Sequence, residues 1–248
     1  MKLKRDDYKF IVLLFGMSAA LYFVHFLIFR DAHHLSLFAL EDLAFVPIDV
    51  FFVSLILNRV LKSNEKKKKM SKLYMIIEIF FSIIGSDLLR EFSNHDKRLI
   101  KIRDDLIIKP NWTEKDFNKM LDLKKLHIPV MEYEKESILN IKEMLEKSRP
   151  NLLRLVENQA LLEHETFTEV LMAVFHLAEE LRLRDNFDNL SKQDKDHIMN
   201  DCKRAYILLG IEWIDYINHM RIHYPYLYSL AIRVNPFAEH AEIAISEL

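Results

Sequence analysis

The sequence predicts an all-α protein: an N-terminal transmembrane helical hairpin followed by a cytoplasmic helical bundle. Three observations lead there. Only 3 glycines (Gly16, Gly85, Gly210) occur in 248 residues, so the positive-φ positions that β-hairpins and phosphate-cradling loops require are scarce. Leu, Ile, Lys, Glu and Met are abundant, as helices favour. The formal net charge is only -2, but the charge is segregated: apolar runs occupy the N-terminal quarter and mixed charge fills the rest. The near-neutral total gives no sign of a nucleic-acid partner. One cysteine, Cys202, excludes an intrachain disulfide and a cysteine-rich zinc site.

The first element is Tyr8 to Phe29. As a helix it would reach about 33 Å, enough for a hydrocarbon core of about 30 Å. A basic start before an apolar run also describes a signal peptide. Here the apolar run passes Ala19 and Ala20 without a polar cleavage region, so an uncleaved anchor is expected. The second span is Leu35 to Leu61, joined to the first by the short link "RDAHH", Arg30 to His34. Lys2, Lys4 and Arg5 precede the pair, and Arg59, Lys62, Lys66 to Lys69 and Lys72 follow it. The positive-inside rule places both termini in the cytoplasm, with the chain in the plasma membrane of a prokaryote. Lys66, Lys67, Lys68 and Lys69 would meet anionic headgroups.

Residues 1–72 thus form the hairpin and its basic border. Residues 73–95 read as a connecting amphipathic helix, lying at the membrane interface or packed against copies of itself. Glu78, Ser82, Gly85 and Ser86 share its narrow polar face. Residues 96–248 form the cytoplasmic domain. A short helix, Thr113 to His127, opens with the capping pattern "TEKD". A second runs from Val130 to Lys147 and stops before Pro150. A long one covers Asn151 to Arg184, and "DNFDNLSKQD" is a loop. The last long helix, Lys192 to His223, ends before Pro225. The aromatic tail, Tyr224 to Phe237, is too apolar to hang free and should pack on the bundle or on a neighbouring subunit.

The acids of the second stretch raise a question of chemistry. Glu41, Asp42 and Asp49 stand in an apolar run beside Pro47. An ionisable group at mid-membrane costs on the order of 2.5–3.5 kcal/mol even on the lenient insertion scale, so it should face water or a partner. Asp42 and Asp49, seven apart, share a helical stripe that Val53 and Ile56 continue. In a ring of subunits this gives acidic rings above an apolar constriction, the layout of a cation pore. The competing reading is pairing inside the hairpin, with His25 opposite Asp42 and Ser18 opposite Asp49.

The soluble part offers scattered metal-ligand types: His176 and Glu180 on one long helix, and Glu212, His219 and His223 along one face of the last. The paired Glu-x-x-His signature of di-iron bundles and HExxH are both missing, so no resident metal or other cofactor is expected. Nor does any nucleophile–base spacing point to an enzyme.

The stretches "FALEDLAFVPIDVFFVSLILNRVL", "LEHETFTEVLMAVFHLAEEL" and "HYPYLYSLAIRVNPF" resemble a family of small prokaryotic membrane proteins, largely archaeal and clostridial. The resemblance implies one architecture over most of the chain and assigns no activity and no catalytic residue. The function expected from the residues is a homo-oligomeric cation channel gated by its cytoplasmic helical domain. The alternative is a membrane-anchored sensor or scaffold whose bundle binds a ligand or a protein partner.

Overall fold

The computed structural model describes residues 5–158, 161 and 164–239. Every regular element among them is a helix. The chain divides into two units, residues 1–66 and 67–248.

In the first unit, α1 runs Arg5–Phe29. Arg30 ends it in the left-handed region at φ 49°, and its N–H returns to the Phe26 carbonyl at 2.8 Å. Such a conformation closes helices, though usually on glycine. The next helix, α2, starts at Ala32, three residues earlier than the expected span. Asp31 Oδ1 accepts from the His33 N–H at 2.9 Å, which satisfies one of the free donors at its start. α2 extends to Phe80, through Pro47 and the lysine run. No further proline or glycine interrupts it before Gly85, so nothing in the backbone stops it. Among the described residues, one helix is long and apolar enough to cross a membrane: α1, over the 22 residues Tyr8–Phe29, none of them buried. The second stretch, which carries Glu41, Asp42, Asp49 and Arg59, does not join it.

The second unit begins with a departure from expectation. Residues 73–95, expected as a connecting amphipathic helix, send their apolar stripe into the core, with Met75 and Ile79 left exposed. Leu73, Ile77, Phe80, Phe81, Ile84, Leu88, Leu89 and Phe92 are all buried. The end of α2 passes through a wide π-helical turn, Phe81–Gly85, into α3, Ser86–Asn94. Gly85 sits between the rings: a Cβ there would come 2.7 Å from Phe81 Cδ1 and 2.8 Å from Phe80 Cε1. The small residue therefore admits the chain's own aromatics, where close approach to a second copy was expected.

Short turns at Leu99–Lys101 and Asp104–Leu106 lead to α4, Glu114–Leu126. Thr113 caps it as expected, its N–H donating to Asp116 Oδ2 at 2.7 Å. α5, Lys135–Val156, starts later than expected and continues through Pro150. The proline forfeits the bond to the Glu146 carbonyl and its ring crowds that oxygen. The single helix expected from Asn151 to Arg184 is instead broken: α6 runs Glu165–Arg182, with His164 Nδ1 accepting from Phe167 N–H at 3.3 Å. α7, Lys192–His223, matches expectation at both ends, capped by Ser191 Oγ and followed by α8, Pro225–Arg233.

The layers follow from the apolar stripes. α6 lies along α7, α5 along α6, and α4 and α8 against α7. Trp213, Tyr206, Phe167, Phe92 and Phe237 fill the centre. The aromatic tail packs on this bundle. Asn235 Nδ2 donates to the Leu106 carbonyl at 2.9 Å, and Tyr228 OH to the Lys109 carbonyl at 3.1 Å.

Candidate functional site

Asp42 is engaged within the hairpin. Tyr22 OH of α1 donates to its Oδ2 at 3.0 Å. The pair closes one side of an open cleft of about 430 Å³ lined also by Ser18, Leu21, His25 and Phe38. His25 therefore borders Asp42, while the phenol one turn earlier makes the bond. Glu41 and Asp49 are exposed on α2, as are Val53 and Ile56.

A second constellation lies in the bundle. His176 and Glu180, one turn apart on α6, meet His197 and Asp201, one turn apart on α7. His176 Nε2 and His197 Nε2 each lie 3.4 Å from Asp201 Oδ2, and His197 Nε2 lies 3.8 Å from Glu180 Oε2. The imidazoles are about half exposed, at 48% and 51%, whereas the Asp201 side chain is only 4% exposed. Arg184 Nη1 donates to Glu180 Oε2 and to the Glu180 carbonyl, and that side-chain bond holds the Glu180 carboxyl below its ordinary range. An open groove of about 500 Å³ runs from His176 past Met172 and Arg204. Among the described residues, His176, Glu180 and His197 are the one group of three ligand-type side chains within 4.8 Å of one another.

Glu212, His219 and His223 do not join it. Glu212 is 3% exposed. Burial pushes its carboxyl up to about 7, against the opposing hydrogen bond of Thr166. The His219 ring stacks on Tyr74 at 3.4 Å and 7°, and burial, with His223 beside it, pushes it down to about 4.

Sequence reading missed a third feature. Lys124 is 0% exposed. Its Nζ lies 3.6 Å from the centroid of the Tyr206 ring and accepts or donates no hydrogen bond. Burial pushes it down to about 7, although the Asp96 charge works the other way. Asp96 itself is desolvated, yet bonds from His127 Nε2 at 2.5 Å and from the Val130 and Arg98 N–H groups hold it below the usual range. Gly210 makes room for the lysine, since a Cβ there would come 2.1 Å from Lys124 Cε. The lysine is fully buried, so its end can give way only by displacing packed neighbours. Gly210→Ala is therefore expected to lower stability by about 1–3 kcal/mol, read from urea midpoints, with a smaller loss in a Lys124→Ala background. Equal losses in both backgrounds would show that the lysine is not what the methyl meets.

Two family models cover the chain. The C-terminal helical domain of Uncharacterized protein MJ1433 matches residues 69–233, and the N-terminal helical domain of MJ1433 matches residues 2–61. The gap between them contains the boundary between the two structural units. The protein named Uncharacterized protein MJ1433, from Methanocaldococcus jannaschii, is 44% identical over 236 residues, which is 95% of this chain and 94% of that protein. No solved structure matches. With both halves matched and such identity over nearly its whole length, the chain belongs to the MJ1433 family of helical proteins.

Proposed function

We infer that the chain is a membrane-anchored sensor or scaffold: the hairpin tethers it, and the cytoplasmic bundle binds a ligand or partner. The observation that carries the anchor is the largely apolar 22-residue stretch Tyr8–Phe29 of α1, in which no residue is buried. A core helix of a soluble domain would hide such a surface. The apolar side chains of α2 from Leu37 to Leu61 are likewise exposed, which supports a second span. Asp42 is satisfied by Tyr22 inside the hairpin, which favours tethering over conduction, because a bonded acid at mid-membrane needs no aqueous pore.

Cation conduction by an oligomer is the second reading. Asp49, Val53 and Ile56 stay exposed on α2 and could face an axis made by several copies. One set of experiments separates the readings. The full-length protein should resist alkaline extraction from membranes. A thiol at Ala32→Cys should be labelled from outside intact cells, and one at Ser63→Cys should not. Reconstituted liposomes should then show no cation flux above background, with Ile56→Ser no leakier than the unsubstituted chain. Release by alkali would remove the anchor. Flux that falls with Asp49→Asn and rises with Ile56→Ser would put the channel in its place.

A further inference from the structure

We propose that His176, Glu180 and His197, together with the buried Asp201 that both imidazoles approach, bind a divalent transition cation of the Zn²⁺ type between α6 and α7. Each helix contributes two residues at i and i+4, so each pair stands on one face, one turn apart. The separations fit an ion. Ligands held at about 2.1 Å in a tetrahedron lie about 3.4 Å from one another, whereas neighbours in an octahedron lie about 3.0 Å apart. The two edges that meet at Asp201 Oδ2 are both 3.4 Å. The edge from His197 to Glu180 Oε2, an oxygen that Arg184 Nη1 also holds, is open at 3.8 Å.

A separate observation points the same way. Asp201 is 4% exposed, and its Oδ2 is buried without a hydrogen-bond donor. A buried carboxylate oxygen left unmatched carries its full desolvation penalty. The competing account is a pair of ordinary histidine–aspartate contacts. At 3.4 Å both are long for a hydrogen bond, so they leave that oxygen unsatisfied. A divalent ion bonded to Oδ2 would satisfy it and would draw in both imidazoles. The donor set, two imidazole nitrogens with carboxylate oxygen, suits zinc and its first-row neighbours better than calcium or magnesium. The half-exposed imidazoles provide the way in,. The site lies wholly within the second unit, so the outcome of the membrane tests leaves it untouched.

The test uses the full chain, purified in detergent without a histidine tag and stripped with EDTA. Zn²⁺ binding is measured by competition with a chromogenic chelator, and Co²⁺ binding by visible absorption. The expected result is one equivalent of Zn²⁺ per chain and the intense absorption of tetrahedral Co²⁺. His176→Ala, His197→Ala and Asp201→Asn should each weaken binding by about tenfold or more. His219→Ala and His223→Ala should bind as the unsubstituted chain does. Zn²⁺ should also raise the melting temperature of the unsubstituted protein but not that of His197→Ala. If the buried Asp201→Asn fails to fold, the two half-exposed histidine variants decide. Binding well below one equivalent, or undiminished binding by both histidine variants, overturns the proposal.

Discussion

Replacing Lys124 with methionine should make the second unit more stable at pH 6, by roughly 4–5 kcal/mol, with the gain fading as the pH rises towards 10. The side chain is 0% exposed and its ammonium rests on the Tyr206 ring without a hydrogen bond. Burial pushes its proton affinity down from 10.5 to about 7. Between those values the unfolded chain binds a proton that the folded chain does not, so stability climbs with pH across that window. Below pH 7 the folded protein must either expel the proton or bury the charge, and the full penalty applies. Methionine fills nearly the same volume and never titrates. Other buried groups also move with pH: burial pushes the Cys202 thiol up to about 12, which acts in the opposite sense above pH 9. The comparison that isolates the lysine is thus the difference between variant and parent, not the parent's curve alone. Both tryptophans, Trp112 and Trp213, lie in this unit, so urea unfolding followed by their fluorescence at pH 6, 8 and 10 reads it directly. Parallel stabilities of variant and parent across that range would show that the buried lysine is not suppressed in the way argued.

Much of the bundle was legible because its helix ends carry local chemistry. Thr113 with Asp116, and Pro225, are signals read within four residues, and α4 and α7 stand within a residue of their expected bounds. Errors arose where local and tertiary signals disagree. Pro150 reads as a stop, yet α5 passes it, because the proline's cost of about 3 kcal/mol is smaller than the gain from burying Leu145, Leu152 and Leu155,. Residues 73–95 read as surface-seeking because polar residues share one face. Their apolar stripe was equally plain, but its destination, the centre of the bundle, depends on α5, α6 and α7, which lie far along the chain.

The same division governs the candidate sites. Asp42 and its neighbours stood out because charge in an apolar run is visible in one dimension. His176 and Glu180 were recognisable as a pair at i and i+4. Their partners His197 and Asp201 form an identical i and i+4 pair, but its meeting with the first is set by the register of α6 against α7, which no spacing within one helix encodes. Lys124 had two faint signals. It follows Phe117 and Met120 on the buried stripe of α4, and Gly210 is a solitary glycine inside a long helix, a usual sign of close approach. Read separately, each has an ordinary explanation. Only the 2.1 Å distance between a Cβ at 210 and Lys124 Cε joins them.

Glu212 should show the mirror image of the lysine. It is 3% exposed, and burial pushes its carboxyl from 4.5 up to about 7, with the nearby Asp215 charge adding to the effect and the Thr166 hydroxyl opposing it. An acid with a raised folded pKa is fully accommodated below its unfolded value. Its contribution is then lost as the pH rises through about 7, because the unfolded chain releases a proton that the folded chain retains. The penalty at pH 8.5 is on the order of 3 kcal/mol. Glu212→Gln keeps the shape and can still accept the Thr166 bond, but carries no charge. The variant should match the parent near pH 4 and exceed it by about 2–3 kcal/mol at pH 8.5, a gain that grows with pH where that of Lys124→Met shrinks. The two residues occupy different helices, and combining the substitutions should flatten the pH dependence between 5 and 9 from both sides. Urea midpoints for parent, single and double variants at pH 4, 6, 7 and 8.5 make the check. A Glu212→Gln gain that is equal at pH 4 and pH 8.5 would mean that the residue acts through packing rather than through its charge.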